Sequence, residues 1–138
     1  MTEHAYDERA TNFSTTNHTL FDTSTDSLIG GLECDVVGTG AEVLVEFYAP
    51  AMGSTTNAIV TSYLVVNGTV VPGSSQYKNW ATGQGEGGSM RRRLVLTNGV
   101  AYNFKVGLSA GSGISTACGQ AGTSPGPQAG VMFLRVTD

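Results

Sequence analysis

Apolar residues along most of this chain recur at every second position, and nowhere do they recur at i, i+3, i+4 and i+7 for long enough to bury a helical face. Val43, Val45 and Phe47 alternate with Leu44, Glu46 and Tyr48, while Leu32, Cys34 and Val36 alternate with Glu33 and Asp35. Tyr102, Phe104, Val106 and Leu108 share one parity. A period of two places such residues on one face of a pleated strand. Between the runs stand Gly38-Thr39-Gly40, Asn67-Gly68, Pro72-Gly73 and Asn98-Gly99, and Asn-Gly in particular favours the tight turn of a hairpin. The pattern predicts a short strand at Leu20-Phe21, a turn over Asp22 to Ser27, and strands over Leu28 to Val37 and Glu42 to Tyr48, the latter ended by Pro50. Further strands are expected over Ala58 to Val66, Thr69 to Val71, Gln76 to Ala81 at an edge, Met90 to Thr97, Val100 to Ser109 and Val131 to Val136. About eight antiparallel strands with frequent turns make a β-sandwich or barrel.

The connecting segments are read in the same way. Gly83 to Gly88 is expected to be a flexible loop, and Ala110 to Gly130, rich in Gly, Ser and Pro, a long surface loop that a partner touches. Residues 1–16 are too polar to fold alone and are expected to form an extended N-terminal arm before a sandwich domain at 17–138. At 138 residues there is room for one core.

Charge excludes several functions. The net charge of −4 argues against non-specific nucleic-acid binding, which needs a basic surface. Residues 1–46 hold nine acids and one base, residues 47–138 two acids and six bases, an asymmetry suited to contact between copies. No window approaches the roughly 20 apolar residues of a membrane helix. The opening Met1-Thr2-Glu3-His4-Ala5-Tyr6-Asp7-Glu8 is acidic, unlike a secretion signal.

No catalytic signature is present: there is no nucleophile elbow, HExxH or P-loop, and Gly83 to Gly88 lacks the lysine and helix of a phosphate cradle. The chain therefore reads as non-enzymatic, without cofactor. Cys34 and Cys118 have no metal-site spacing, and Cys34 falls on a core face as a buried free thiol, with a disulfide to Cys118 as the alternative. Glu33 with Asp35, and Glu42 with Glu46, share strand faces, but such carboxylates are ordinarily solvated; Asp22 and Asp26, in a turn rich in Ser and Thr, are a weak candidate for helping to hold calcium, which wants several oxygens. Tyr48, Tyr77 and Trp80 are candidates for a sugar-stacking platform. Arg91-Arg92-Arg93 is the sharpest local feature: alternation sends Arg91 and Arg93 outward and leaves Arg92 to reach a rim or a carboxylate, with Glu33, Asp35, Glu42 and Glu46 as possible partners on this copy or the next.

Four segments carry a resemblance: Thr15 to Asp22, Ile29 to Val36, Val43-Leu44-Val45-Glu46-Phe47, and Leu94 to Val106 with its aromatic-x-aromatic-x-Val ending. In these the chain resembles the small jelly-roll domains of tailed-phage virion proteins, with an architecture like that of tumour necrosis factor. The resemblance implies an all-β jelly-roll sandwich, a homotrimer, and a place in a virion assembled in the host cytoplasm. It further implies capsid decoration through contact with the major capsid protein or another virion protein, or alternatively a tail-associated module that binds a receptor or a host-surface glycan. Arg91, Arg92, Arg93, Tyr77 and Trp80 are then the expected partner-binding residues.

Overall fold

The computed structural model describes residues 2–73, 76–80, 85–113, 115–117 and 131–138; along 76–80, 85–86 and 115–117, and at Ala51, it describes the backbone only. The strands are β1 (Glu3–Arg9), β2 (Phe13–Thr15), β3 (Leu28–Val37), β4 (Glu42–Ser54), β5 (Ala58–Val66), β6 (Thr69–Val70), β7 (Gln76–Trp80), β8 (Gly85–Val95), β9 (Ala101–Ala110), β10 (Ser115–Ala117) and β11 (Met132–Thr137). They form two antiparallel sheets, one of six strands and one of five.

In the six-stranded sheet β4 pairs with β8 along one edge. Along its other edge it meets β11 at residues 44–48 and β10 at 52–54, so β10 and β11 share one interrupted lane. Beyond them β2 and β1 share the next. In the other sheet β9 lies between β3 and β5, and β6 and β7 divide the far edge of β5. Counted by lanes, each sheet is four wide, and the chain crosses between the sheets in the order of a jelly roll. Seven of these eight lanes correspond to strands expected from periodicity; the lane of β1 and β2 falls in the expected arm.

The alternation explains the core. Val45, Phe47, Met132, Leu134 and Val136 of the first sheet join Leu32, Cys34, Leu64, Phe104, Val106 and Leu108 of the second in one cluster, each at most 2% exposed. Cys34 is a buried free thiol whose S–H donates to the Leu134 carbonyl at 3.3 Å. Burial pushes its pKa up to about 12, so the sulfur stays protonated and unreactive near neutrality. Cys118 lies outside the described residues.

Several expectations need correction. Residues 1–16 do not stand apart as an arm, because β1 and β2 form an edge lane of the sheet. The inward-facing positions of β1 are Ala5, Asp7 and Arg9, and the two charged ones are tied to the opposite sheet. The Asp7 carboxylate accepts the Glu33 N–H at 2.9 Å, and the Arg9 guanidinium donates to the Gly30 carbonyl. Leu20-Phe21 is a turn rather than a strand, with Phe21 at φ 60°. Pro50 does not end β4. The ladder with β8 shifts register between Ala49 and Met52, and a proline is tolerated at such a bulge.

Opposite that bulge, Gly85 to Gly88 belongs to β8 rather than to a loop. A Cβ at Gly87 would sit 3.2 Å from the Pro50 carbonyl oxygen, so the glycine permits the close approach. Within the expected loop 110–130, β10 pairs with β4 and β2; residues 118–130 lie outside the described residues.

The segment 16–27 covers the outer face of the second sheet. Tyr63 points outward from β5 yet is 0% exposed, because Phe21 meets its ring edge-on at 5.4 Å and its hydroxyl donates to the Asp22 carbonyl at 2.6 Å. The Asp22 carboxylate accepts the hydroxyls of Ser24 and Ser27, which lower its pKa and organise the turn.

Candidate functional site

The outward positions of β1, β11, β4 and β8 build two parallel rows on the open face of the six-stranded sheet. In the first row Phe133 pairs directly with Tyr48, and Tyr6, in register with Arg135, reaches Phe133 diagonally from β1. The ring centroids of Tyr6 and Phe133 are 5.8 Å apart and those of Phe133 and Tyr48 are 5.5 Å apart, with planes inclined by 26° and 33°. Tyr6 is 43% and Tyr48 39% exposed, a poor use of aromatic surface unless something covers it. The Tyr6 hydroxyl is held above the usual phenol range, first by partial burial and then by Glu8 and Glu3, so it remains a neutral donor at physiological pH.

The second row is charged. Arg135, Glu46 and Arg91 stand directly opposite one another on β11, β4 and β8. One Glu46 carboxylate oxygen accepts Nη2 of Arg135 at 2.8 Å, and the other lies 3.3 Å from Nε of Arg91. The Arg135 guanidinium also sits 5.5 Å from the Phe133 ring centroid, which links the two rows.

The arginine run is placed as alternation requires. Arg91 and Arg93 face outward, and Arg92 is half-buried at the sheet edge, donating to the carbonyls of Pro72 and Arg93 at 3.3 Å. Arg93 pairs with Glu42 at 2.9 Å. The acidic first third of the chain and the basic remainder thus meet within one copy, through Glu42, Glu46 and the pair Glu33–Lys105 at 3.6 Å. Asp35 and Glu33 also accept Nδ2 of Asn103 at 2.8 and 3.0 Å, so neither carboxylate pair is arranged as an acid with a base. Among the described residues no three His, Cys, Asp or Glu side chains group around a metal position.

Tyr48 belongs to the aromatic row, but its expected companions do not. Tyr77 and Trp80 lie on β7 in the other sheet, and their side chains are outside the described residues. Sequence reasoning missed Tyr6 and Phe133. Alternation across Met132, Phe133, Leu134, Arg135 and Val136 separates Phe133 and Arg135 from the core positions, which was a usable signal. Tyr6 had none, being set in a polar run.

The fold and this face define a jelly-roll β-sandwich with an aromatic and charged surface on one sheet. No protein-family model matches the sequence, and no curated protein matches it. Solved structures of similar fold include a family 35 carbohydrate binding module from Clostridium thermocellum, 14% identical with a TM-score of 0.43 over 99% of this chain and 98% of that one. A family 35 module from an environmental isolate is 12% identical, with a TM-score of 0.42 over 96% and 92%. A β-glucosidase from Paenibacillus barengoltzii is 18% identical, with a TM-score of 0.37 over 65% of this chain, which spans 10% of that enzyme. Likenesses this distant add nothing on function; the fold stands on the strand order described above.

Proposed function

We propose that this domain is a non-catalytic glycan-binding module that holds its ligand on the open face of the six-stranded sheet. The observation that carries the reading is the row Tyr6–Phe133–Tyr48, aromatic surface left in solvent and bordered by hydrogen-bonding side chains. Sugars present apolar C–H faces and polar rims, and a row of rings beside a row of donors and acceptors answers both. The virion remains an expected setting on the strand-pattern resemblance alone. A receptor-binding module that meets host-surface polysaccharide is the form of that expectation which this face favours over capsid decoration.

Tyr48→Ala tests the reading, because the ring is exposed and its loss leaves the core alone. An aromatic contact contributes about 0.5–1.5 kcal/mol beyond the area it covers, so glycan affinity should fall about ten-fold or more. The melting temperature should move by only a few degrees, about what a surface change of this kind gives. Binding by calorimetry and melting by circular dichroism are the measurements. Unchanged affinity for every glycan that the wild type binds would remove the face from the site. A mass that rises with protein concentration, and that Tyr48→Ala returns to the monomer, would assign the face to contact between copies, as in the expected trimer.

A further inference from the structure

We infer that the ligand of this face is anionic: a saccharide bearing a carboxylate, gripped by Arg91 and Arg135 while its ring lies on the aromatic row. The inference rests on the glycan-binding reading and adds the ligand's charge. Two guanidinium groups on one open face repel each other, and a folded chain keeps them close only with a counter-charge between them. Glu46 is that counter-charge. It is 13% exposed, sits between the two in register on the middle strand, and gives one oxygen to each.

Holding them so leaves donors over. Arg91 meets Glu46 through Nε, and its two outer amino groups make no hydrogen bond among the described residues. Arg91 is 71% exposed, so those groups are open to solvent. Nε of Arg135 is buried and has no hydrogen-bond partner among the described residues. One carboxylate cannot neutralise two guanidiniums, so the row keeps an excess positive charge in a chain whose net charge is −4. Planar forks fixed in this way are suited to a carboxylate.

The spacing fits the same ligand. Residues two apart on a strand are about 7 Å apart, so the charged row runs that far from the pair Phe133–Tyr48. A pyranose ring stacked on the rings then brings an exocyclic carboxylate toward the arginines.

The test titrates the full chain with oligogalacturonate and oligomannuronate, each as the free acid and as its methyl ester, which keeps the sugar and removes the charge. Arg91→Gln is the site variant, and Arg93→Gln, paired with Glu42 outside these rows, the control. The free acid of at least one sugar should bind about ten-fold more tightly than its ester, as two charge-assisted contacts imply, and less tightly as salt rises. Arg91→Gln should close most of that gap, whereas Arg93→Gln should keep it. Equal binding of acid and ester, lost in Tyr48→Ala, would overturn the anionic inference and leave the glycan reading standing. Binding of neither form, nor of neutral oligosaccharides, would overturn both.

Discussion

Deleting residues 2–14 should abolish cooperative folding. Those residues supply β1 and most of β2, the outer lane against which β11 and β10 are hydrogen-bonded. Six residue pairs hold β1 to β11 and three hold β2 to β10. With a net contribution of about 0.5–1.5 kcal/mol for each hydrogen bond, the lane accounts for a large part of the roughly 5–15 kcal/mol that keeps a domain folded. The deletion also removes the ties from Asp7 to Glu33 and from Arg9 to Gly30 that close this side of the sandwich. Met132, Leu134 and Val136 would be left on an unprotected edge strand, inviting aggregation. The truncated chain should show no sigmoidal melt by circular dichroism and poorly dispersed amide signals. A truncated chain that melts cooperatively within a few degrees of the full one would show that the lane is dispensable.

Gly107→Ala should be a severely damaging single-methyl change. A Cβ there would lie 2.1 Å from Cε2 and 2.4 Å from Cζ of Tyr63, inside the ring's own volume. The ring has nowhere to go: it is fully buried, edge-on to Phe21, and fixed by its hydroxyl to the Asp22 carbonyl. Displacing it releases the segment 16–27 from the sheet, so a loss of about 3 kcal/mol or more is expected, at the upper end of overpacking. For a domain of this size that is a fall of roughly 10–15 °C in melting temperature. The cause can be isolated by a double substitution. If the ring is what the methyl strikes, Gly107→Ala should cost little in a Tyr63→Ala background. An equal cost in both backgrounds would place the strain in the β9 backbone instead.

The parts of the fold legible in sequence are those where burial alone decides the residue. β3, β4, β5 and β9 send one face into the core, so their inward positions are apolar and the period shows. β1 and β2 have the same geometry with different chemistry, since Asp7 and Arg9 satisfy inward positions by hydrogen bonds rather than by burial. β10 and Gly85 to Gly88 are strands because a neighbouring lane supplies their backbone partners, which their own residues do not announce. The arginine alternation was readable, but the choice of Glu42 and Glu46 over Glu33 and Asp35 required the register of β4 against β8. The aromatic row joins three residues far apart in the chain, and only the pairing of β1, β11 and β4 brings them together.

The two ends of the chain are stitched to each other. The Thr2 amide donates to the Asp138 carboxylate at 2.6 Å, the Asp138 amide returns a bond to the Thr2 carbonyl at 3.1 Å, and Glu3 stands opposite Thr137. Because β1 and β11 are antiparallel, their bonds run across the strands, and a tension applied through both ends loads one bond at a time. Under such a load the domain behaves as a zipper rather than a clamp. The first strand to peel carries Tyr6, so traction dismantles the aromatic row before it reaches the core. A ligand held there would be released as the sandwich begins to give way, because the fold needs the strand that peels first. Single-molecule pulling through the two ends, with and without ligand, should register that release as the earliest event.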